Sequence, residues 1–360
     1  MPFTAQELSN IANSALDFYM DRGTVHAQNI QNKPMLQAFD RAAGSFPGGK
    51  GTVSLAVKSG QGGLALTGYT HDDLVNYGNP ANTKRLNFPW REHFIGMGLT
   101  HTELKHDGIT VTENGADQST SNKDSREEHA LANMLEEKLN EMDEDYLSGL
   151  DGLVHGDGSS DAKAIAGIRA FILDNPGLGL TGGLSRVTNG WWRNRAATAA
   201  ANAAGTGANV ITSATTGGGA LLQFLQREQR QLNRYAANRR SMKFAGSDFI
   251  DAIERELRGN GQYAQTGWTG GDGSVDGAMP KVRFGGTEIV YDPTLDNLGL
   301  AKRMYDIDMR AIKLLYMTGE KKKKSNPARP HNRFVMYQGV TTTAVMIANR
   351  LNSSGVYDIA

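Results

Sequence analysis

The sequence predicts an α+β fold, and two hydrophobic patterns support that prediction. Residues 53–57 alternate apolar and polar side chains, which is typical of a strand with one buried face. Residues 125–146 instead place apolar side chains at helical spacing, with carboxylates on the opposite face. Because further segments of both kinds follow up to residue 347, we expect helices and sheets to pack together in the same domains.

Composition limits the class of function. The chain has 360 residues, more than one small core usually organises, so we expect at least two lobes. Its 38 lysines and arginines balance 38 aspartates and glutamates, which excludes a strongly basic, dedicated DNA-binding protein. The absence of cysteine excludes disulfides and thiolate nucleophiles and fits a reducing cytoplasm. No leader pattern and no apolar stretch of the roughly 18 residues that span a membrane is found, so we expect no membrane partner.

The first part of the chain predicts extended pieces. Residues 5–20 have the spacing of a short amphipathic helix, and the polar stretch from Asp21 to Gly44 fits either a detached arm or a surface loop. Val53, Leu55 and Val57 predict one strand of a hairpin, residues 59–63 its glycine-rich tip, and Leu64 and Leu66 the return strand. Because a lone two-stranded hairpin is marginally stable, we expect it to rest on another surface, with a second subunit as one option.

A long helix and a second lobe follow. The helix is predicted from Ser125 to Tyr146, with Gly149 as its end, and a new lobe begins near Asp151. The remaining predicted elements are helices at 219–235 and 247–258, a kinked strand at 282–291, and strands at 304–312, 313–317 and 334–347.

Three local patterns in the sequence are candidate sites for cofactors or metals. Residues 44–50 (GSFPGGK) approach a phosphate-binding loop, but Gly51 replaces the required hydroxyl and an alternating strand follows where a helix is needed, so we favour a glycine hinge. His101 and His106 are five residues apart, which is wrong for a helical zinc pair, and the other histidines, His155 among them, are interpreted as surface or interface residues. Residues 156–161 and 271–276 resemble calcium loops without the full ligand series. We therefore predict no catalytic residue, no cofactor-binding residue and no metal ligand, and no enzymatic activity.

Two further segments stand out. Lys321, Lys322, Lys323 and Lys324 form the one concentrated basic run, which predicts a solvated loop tip or, in an assembly, a patch compensated by neighbouring carboxylates or by phosphates. Residues 190–194 (GWWRN) set two tryptophans beside an arginine, and this combination suits either core packing or an interface.

The order of these parts resembles the major capsid proteins of tailed bacteriophages. The resemblance covers nearly the whole chain and includes residues 190–194 (GWWRN), 286–293 (GTEIVYDP) and 304–309 (MYDIDM). It implies an HK97-like capsid fold with an N-terminal arm at 1–45, an E-loop hairpin at 46–90, a P domain with the spine helix at 91–150 and 311–340, and an A domain at 151–310 and 341–360.

The resemblance also implies function and partners. The chain would form hexamers and pentamers of an icosahedral shell around double-stranded phage DNA, bound without sequence specificity, and would be assembled in the host cytoplasm into the virion capsid. Its partners would be further copies of itself, a separate scaffolding protein, a portal and, as an open option, a decoration or cement protein. The alternatives are an encapsulin-like nanocompartment shell and a nucleotide-binding enzyme.

The residues that we expect to serve assembly are glycines and lysines. Glycines at the base of the hairpin would act as hinges, glycines at its tip would shape the contact with a neighbour, and the lysine run would meet a partner. They are Gly48, Gly49 and Gly51 at the base, Gly60, Gly62 and Gly63 at the tip, and Lys321, Lys322, Lys323 and Lys324.

Overall fold

The computed structural model describes residues 3–4, 31–48, 50–60, 66–74, 77–79, 82–100, 102–103, 111–112, 125–200, 220–236, 239–259, 283–325 and 335–360. The helix predicted at residues 5–20 lies outside the described residues. Among the described helices, none is long and apolar enough to cross a membrane.

Strands and helices alternate irregularly along the described chain. The helices are α1 (Pro34–Arg41), α2 (Ser125–His155), α3 (Ile168–Phe171), α4 (Ala220–Arg234), α5 (Ser247–Gly259) and α6 (Pro293–Asn297). The strands are β1 (Phe3–Thr4), β2 (Gly44–Phe46), β3 (Thr52–Lys58), β4 (Thr83–Pro89), β5 (Arg91–Thr100), β6 (Val111–Thr112), β7 (Leu180–Thr181), β8 (Leu184–Ser185), β9 (Arg195–Ala197), β10 (Ser241–Ala245), β11 (Arg283–Phe284), β12 (Thr287–Tyr291), β13 (Arg303–Asp308), β14 (Ile312–Met317), β15 (Lys323–Ser325), β16 (Val335–Ala348) and β17 (Gly355–Asp358).

The chain divides into two compact units. The first consists of Met1–Gln31, Glu92–Leu150 and Met317–Thr343, and the second of Asn32–Arg91, Asp151–Tyr316 and Ala344–Ala360. Both units are discontinuous in sequence. Their identification with the P and A domains named above stays a prediction.

In the first unit, β16 pairs with both β5 and β15. Leu139 and Met142 from α2 pack on Val340 of β16 and form a small buried cluster. The strands approach closely because Gly339 has no side chain: a Cβ there would lie 2.5 Å from the ring of Phe94. The apolar stripe of α2 therefore has a partner surface within its own unit.

The second unit contains a six-stranded mixed sheet in the order β11-β12-β10-β13-β17-β9. Helices α4 and α5 contribute the apolar side chains that cover it, including Leu225 and Phe249. The buried carboxylate of Glu256 in α5 accepts hydrogen bonds from the backbone N–H groups of Leu221 and Leu222, at 3.0 and 2.8 Å. These donors lack partners within their own helix, so one side chain both joins the two helices and caps α4.

The helix α2 is longer than predicted. It continues through Gly149 to His155, so the prediction that Gly149 ends it is wrong. Leu150 and Val154 are buried and extend the apolar stripe, and their burial outweighs the cost of about 1 kcal/mol for a glycine inside a helix. A second prediction also needs correction: residues 282–291 are not one kinked strand but the pair β11 and β12, which reverses at Gly285 and Gly286, where φ is +60° and +79°.

The predicted hairpin exists, but its return strand was placed wrongly. β3 pairs in antiparallel fashion with β4, with Val53 opposite Phe88 and Leu55 opposite Leu86. Of the two residues predicted in the return strand, Leu66 lies in no strand and Leu64 lies outside the described residues. The turn was misplaced because glycines near residue 60 suggested a tight reversal, whereas the connection runs from residue 59 to residue 82. We call the paired strands β3 and β4 the hairpin base and residues 59–82 the hairpin loop.

The apolar face of the hairpin base packs on its own unit. Phe88 lies against Phe171, with ring centroids 5.7 Å apart, and the backbone N–H of Asn87 donates to the carbonyl of Gly182 at 3.0 Å. Gly182 has φ of +63°, and a Cβ there would lie 2.8 Å from the Phe88 ring. The surface that the hairpin base needs is thus supplied by the same chain, not by a second subunit.

We predict that Gly182→Ala destabilises the protein by roughly 2–3 kcal/mol, because it adds a collision with Phe88 to the strain of a positive φ. Gly183→Ala is the matched control: Gly183 also has a positive φ, +82°, but a Cβ there meets nothing within 4 Å. It should cost only about 1 kcal/mol. Urea unfolding monitored by circular dichroism measures both. If both variants lose the same free energy of unfolding, the close approach of Phe88 to Gly182 does not anchor the hairpin base.

Candidate assembly surfaces

The hairpin loop begins and ends in a fixed geometry. Gly60 has φ of +140°, a conformation that favours glycine, and its carbonyl accepts a hydrogen bond from the side-chain amide of Asn82 at 2.8 Å. The backbone N–H of Ser59 donates to the carbonyl of Asn82 at 3.1 Å. The two ends of the loop are therefore tied together at Gly60, while Gly62 and Gly63 lie outside the described residues. Whether these tip glycines serve assembly stays a prediction.

The described part of the loop exposes large apolar side chains. Leu66 is 104% exposed, Tyr69 71%, Leu74 95% and Tyr77 96%. Single exposed apolar residues are ordinary, but four within one loop are typical of a surface that another molecule covers.

One turn within this loop is held by its own side chains. Asp73 accepts hydrogen bonds from the backbone N–H and the hydroxyl of Thr70, both at 2.8 Å, and donates its own N–H to the carbonyl of Thr70 at 3.0 Å. These bonds lower the pKa of Asp73. The exposed carboxylate of Asp72 lies within this preformed turn.

The predicted hinge glycines receive no specific support. Gly48 is exposed, and Gly49 lies outside the described residues. Gly51 is not in the positive-φ region, and a Cβ there would meet nothing within 4 Å. Its carbonyl accepts a hydrogen bond from the N–H of Trp90 at 3.2 Å, which closes the end of the hairpin base. The hinge stays a prediction.

The segment that resembled a phosphate-binding loop is built into a sheet. Gly44 begins β2, which pairs with β14, and a Cβ at Gly44 would lie 2.9 Å from the side chain of Leu315. The next element is the strand β3, so no helix N-terminus is directed at a phosphate there. The nucleotide-binding interpretation of residues 44–50 is therefore wrong.

The four lysines do not form one uniform patch. Lys322 is half-buried: its ammonium group makes an ion pair with Asp143 of α2 and lies 4.9 Å from the ring centroid of Tyr146. Lys323 pairs with Glu320, and both Lys323 and Lys324 belong to β15 and not to a loop tip. Part of the charge that we expected neighbours to compensate is thus compensated within the first unit.

Lys322 also has an unusual backbone, with φ of +51°. We predict that Lys322→Ala destabilises the protein by about 1 kcal/mol through loss of the contacts with Asp143 and Tyr146. Lys322→Gly loses the same contacts but relieves the backbone, so it should be roughly 1 kcal/mol more stable than the alanine variant. Lys323→Ala, which breaks a more exposed pair, should change stability by less than about 0.5 kcal/mol. Urea unfolding measures the free energy of unfolding of all three variants. If Lys323→Ala lowers it as much as Lys322→Ala does, the contacts of Lys322 with Asp143 and Tyr146 are not the stabilising ones.

The GWWRN segment alternates between the interior and a cavity. Trp192 is buried and donates its indole N–H to the carbonyl of Thr181 at 3.2 Å. Asn194 is also buried, and its side-chain oxygen accepts hydrogen bonds from Arg186 and from the N–H of Leu173. Trp191 and Arg193 are half-buried at the wall of a cavity of about 870 Å³, which Lys58 and Gly60 of the hairpin also line. Packing in the interior therefore accounts for Trp192 and Asn194, whereas Trp191 and Arg193 lie at the cavity.

A buried histidine lies between two aspartates at the end of α2. The Nε2 atom of His155 is 2.9 Å from the carboxylate of Asp292, and its Nδ1 atom is 2.9 Å from the backbone carbonyl of Asp151. A backbone carbonyl can only accept, so Nδ1 carries a proton, and a second proton on Nε2 would let the ring donate to Asp292 as an imidazolium. The interpretation of His155 as a surface or interface residue is wrong, because it is only 2% exposed.

The charges around His155 outweigh its burial. Burial alone would lower the pKa of His155, but the hydrogen bond and charge of Asp292, with the charge of Asp151, raise it above the usual 6.5. Burial also raises the pKa of Asp151, although His155 and Thr294 oppose that shift. The cluster joins the last turn of α2 to Asp292, which caps α6 through the N–H of Thr294.

These shifts predict a pH dependence of stability. The folded protein holds a proton on His155 more tightly than the unfolded chain, so the stabilisation is complete below about pH 6.5 and is lost as pH rises through the raised pKa. The raised pKa of Asp151 acts in the same direction. Unfolding free energies measured between pH 6 and 9 should therefore fall with pH, and His155→Gln should flatten this slope while costing about 3 kcal/mol. The exposed His71→Gln is the control, and an unchanged slope in His155→Gln would rule out this role.

The first of the two segments that resembled calcium loops, residues 156–161, uses its carboxylates in turns. Asp157 accepts hydrogen bonds from the N–H and hydroxyl of Ser159, at 2.9 and 2.7 Å, and Asp161 accepts one from the N–H of Lys163. Residues 271–276 lie outside the described residues. Within the described chain, no group of three or more His, Asp or Glu side chains has the arrangement needed to hold a metal ion.

Of the comparisons with known proteins, the one with solved structures found similar proteins. No model of a known protein family and no curated protein sequence matches the chain. The chain is similar to the capsid asymmetric unit of cyanophage A-1(L), with a TM-score of 0.57 and 14% identity over 93% of this chain and 95% of that one. It is also similar to the capsid asymmetric unit of cyanophage Pam1, with a TM-score of 0.51 and 13% identity over 93% and 94% of the two chains. The capsid of the native GTA particle matches with a TM-score of 0.50 and 11% identity over 94% and 93%.

These likenesses extend over almost the whole length of both chains in each case. The similar structures named here are capsid structures. The resemblance stated from the sequence is thus confirmed at the level of the fold: the chain has the fold of phage capsid proteins.

Proposed function

We propose that this chain is the major capsid subunit of a tailed phage and assembles into the hexamers and pentamers of an icosahedral shell around double-stranded DNA. The observation that carries the proposal is the hairpin loop, in which four large apolar side chains are exposed on a chain with a capsid fold. A fold alone does not imply a function, but an uncovered apolar loop on this fold needs a covering surface, and further copies of the chain can supply it.

The proposal includes other molecules. A separate scaffolding protein, a portal at one vertex and a decoration protein are partners that the resemblance implies. DNA would be enclosed without sequence specificity, which agrees with the balance of 38 basic and 38 acidic side chains. The virion capsid would be the final location, with assembly in the host cytoplasm.

We predict that the purified chain, expressed with the gene products encoded beside it, forms closed shells or regular capsomers visible by electron microscopy. The variant Leu66→Ser/Leu74→Ser should remain folded but unassembled, because both side chains are exposed and contribute little to the monomer. Leu178→Ser is the matched control: Leu178 is 58% exposed but lies outside the hairpin loop.

Circular dichroism tests folding, and sedimentation with microscopy tests assembly. A wild-type chain that stays monomeric under all these conditions would overturn the proposal. Shells that form equally well from the loop variant would exclude the hairpin loop as an assembly surface. Shells that carry an enzyme and no DNA would instead identify a nanocompartment.

A further inference from the structure

The cavity beside the hairpin has a strongly one-sided charge. It has a volume of about 870 Å³, is lined by residues 56–60, 190–195 and 349–352 with Gln231, Arg234 and Tyr235, and lies wholly within the second unit. Among the described residues, its lining contains no acidic side chain but five basic ones: Lys58, Arg193, Arg195, Arg234 and Arg350. Since the whole chain has equal numbers of acids and bases, this is a local excess of positive charge.

In the described part of the chain, acidic side chains compensate only part of this positive charge. Arg195 makes a two-pronged ion pair with Glu228, at 2.8 and 2.9 Å. Arg193 instead donates to the backbone carbonyls of Arg186 and Val187, which are neutral. Arg350 and Lys58 are exposed at the rim. The cavity therefore favours an anionic group.

A buried guanidinium behind the cavity wall adds to this field. Arg186 is 0% exposed, and its hydrogen bonds go to the neutral oxygens of Thr181, Asn194 and Phe171. Burial, assisted by the charge of Arg193, lowers the pKa of Arg186 to about 10. It remains charged at neutral pH, so an anion in the cavity would offset a buried charge that the fold itself pairs only with dipoles.

The cavity also offers apolar surface and one unused acceptor. Trp191 and Tyr235 contribute aromatic rings to the lining, and Tyr235 is 57% exposed. The side-chain oxygen of Asn352 is buried and has no hydrogen-bond partner in the described part of the chain. A ligand that fits has a carboxylate or another anionic group, an apolar portion and an N–H donor. A peptide combines all three.

The hairpin loop carries a segment of this chemistry. Asp72 lies in the turn that Thr70 and Asp73 hold together, and the exposed Tyr69 and Leu74 flank it. Because the turn is already formed, docking orders few further residues, which lowers the entropic cost of binding. The cavity volume falls within the range of about 300–1,000 Å³ typical of sites that enclose small ligands, so the apex of a turn fits inside.

We propose that the cavity of one subunit receives the acidic turn Tyr69–Leu74 of a second copy of this chain. Asp72 meets the guanidinium of Arg350, and the flanking Tyr69 and Leu74 cover Trp191 and Tyr235. The inference rests on the proposed function, since it assigns the receiving surface for the hairpin loop within the shell.

Nucleic acid is the competing occupant, and two observations disfavour it. Phosphates provide no hydrogen-bond donor for Asn352, whereas a backbone N–H does. A duplex presents a convex cylinder of phosphates that follows a long basic stripe, whereas the basic side chains here line a concave cavity. The pair of Arg195 with Glu228 also shows that an arginine in this wall already binds a carboxylate in the two-pronged geometry.

A charge exchange between two chains tests the proposal. Asp72→Lys and Arg350→Glu, prepared separately in the full-length chain, should each reduce the yield of assembled shells at least about tenfold, because like charges then meet. The double variant Asp72→Lys/Arg350→Glu should restore assembly, because every lysine turn then meets a glutamate in the cavity of the next copy. The controls are Arg255→Glu and Asp251→Lys, which change exposed charges outside the cavity lining and should assemble as wild type.

The outcomes separate the two proposals. If the wild-type chain itself forms no shells, the proposed function fails and this inference fails with it. If wild-type shells form and both single variants assemble normally, only the inference is overturned. If the single variants fail and the double variant also fails, the turn does not dock on this cavity. Loss of assembly in Arg350→Glu but not in Asp72→Lys would assign the cavity to another anion, such as DNA phosphate, and would equally overturn the inference.

Discussion

The contact between the hairpin base and the segment from Phe171 to Gly182 is the constraint on which the other features of the second unit depend. A two-stranded ribbon is marginally stable in water, so without this surface β3 and β4 would not hold their register. Packing of Phe88 on Phe171 buries the apolar face of the ribbon and fixes its position. Lys58 and Gly60 are consequently held at the rim of the cavity, and the hairpin loop starts from a defined point.

Charge is distributed unevenly within a chain that is neutral overall. Several acidic side chains are used in buried pairs, such as Asp358, whose carboxylate binds Arg303 at 2.7 and 2.8 Å, and Asp306, which binds Arg239. Burying such pairs costs desolvation energy, so their effect is to fix geometry more than to add stability. These pairs take one base for each acid, so the excess of basic side chains at the cavity comes from where the other bases lie.

The sequence predicted those parts of the fold that depend on local periodicity. The helices α4 and α5 and the strand β14 were found close to their observed bounds, because each carries an apolar repeat of its own period. β4 was missed because only Leu86 and Phe88 are apolar among its polar neighbours, and its pairing with β3 spans a long loop.

The candidate site was less predictable, for a physical reason. The cavity brings together Lys58, Arg193, Arg234 and Arg350, which are far apart in sequence and become neighbours only in the folded chain. His155 gave no signal either, since its partner Asp292 comes from a distant turn. The hairpin loop was marked by its glycines, but Leu66 was assigned to a return strand, and Leu74 and Tyr77 were not singled out.

The separation of the hairpin base from the hairpin loop has an energetic consequence. A leucine or tyrosine side chain gains roughly 1.5–3 kcal/mol when it moves from water into an apolar environment, but this gain is absent while the loop is uncovered. The folding free energy of the subunit therefore resides in the sheet, the helices and the anchored base, whereas the loop contributes only when a partner covers it. Substitutions at Leu66 and Leu74 would then alter the proposed assembly without changing the stability of the subunit. The carboxylates of Asp72 and Asp73 lie between the exposed apolar side chains, so the loop is not a continuous apolar strand of the kind that aggregates. Under the proposed function, a subunit built in this way folds before it assembles, because the apolar side chains of the loop contribute little to folding.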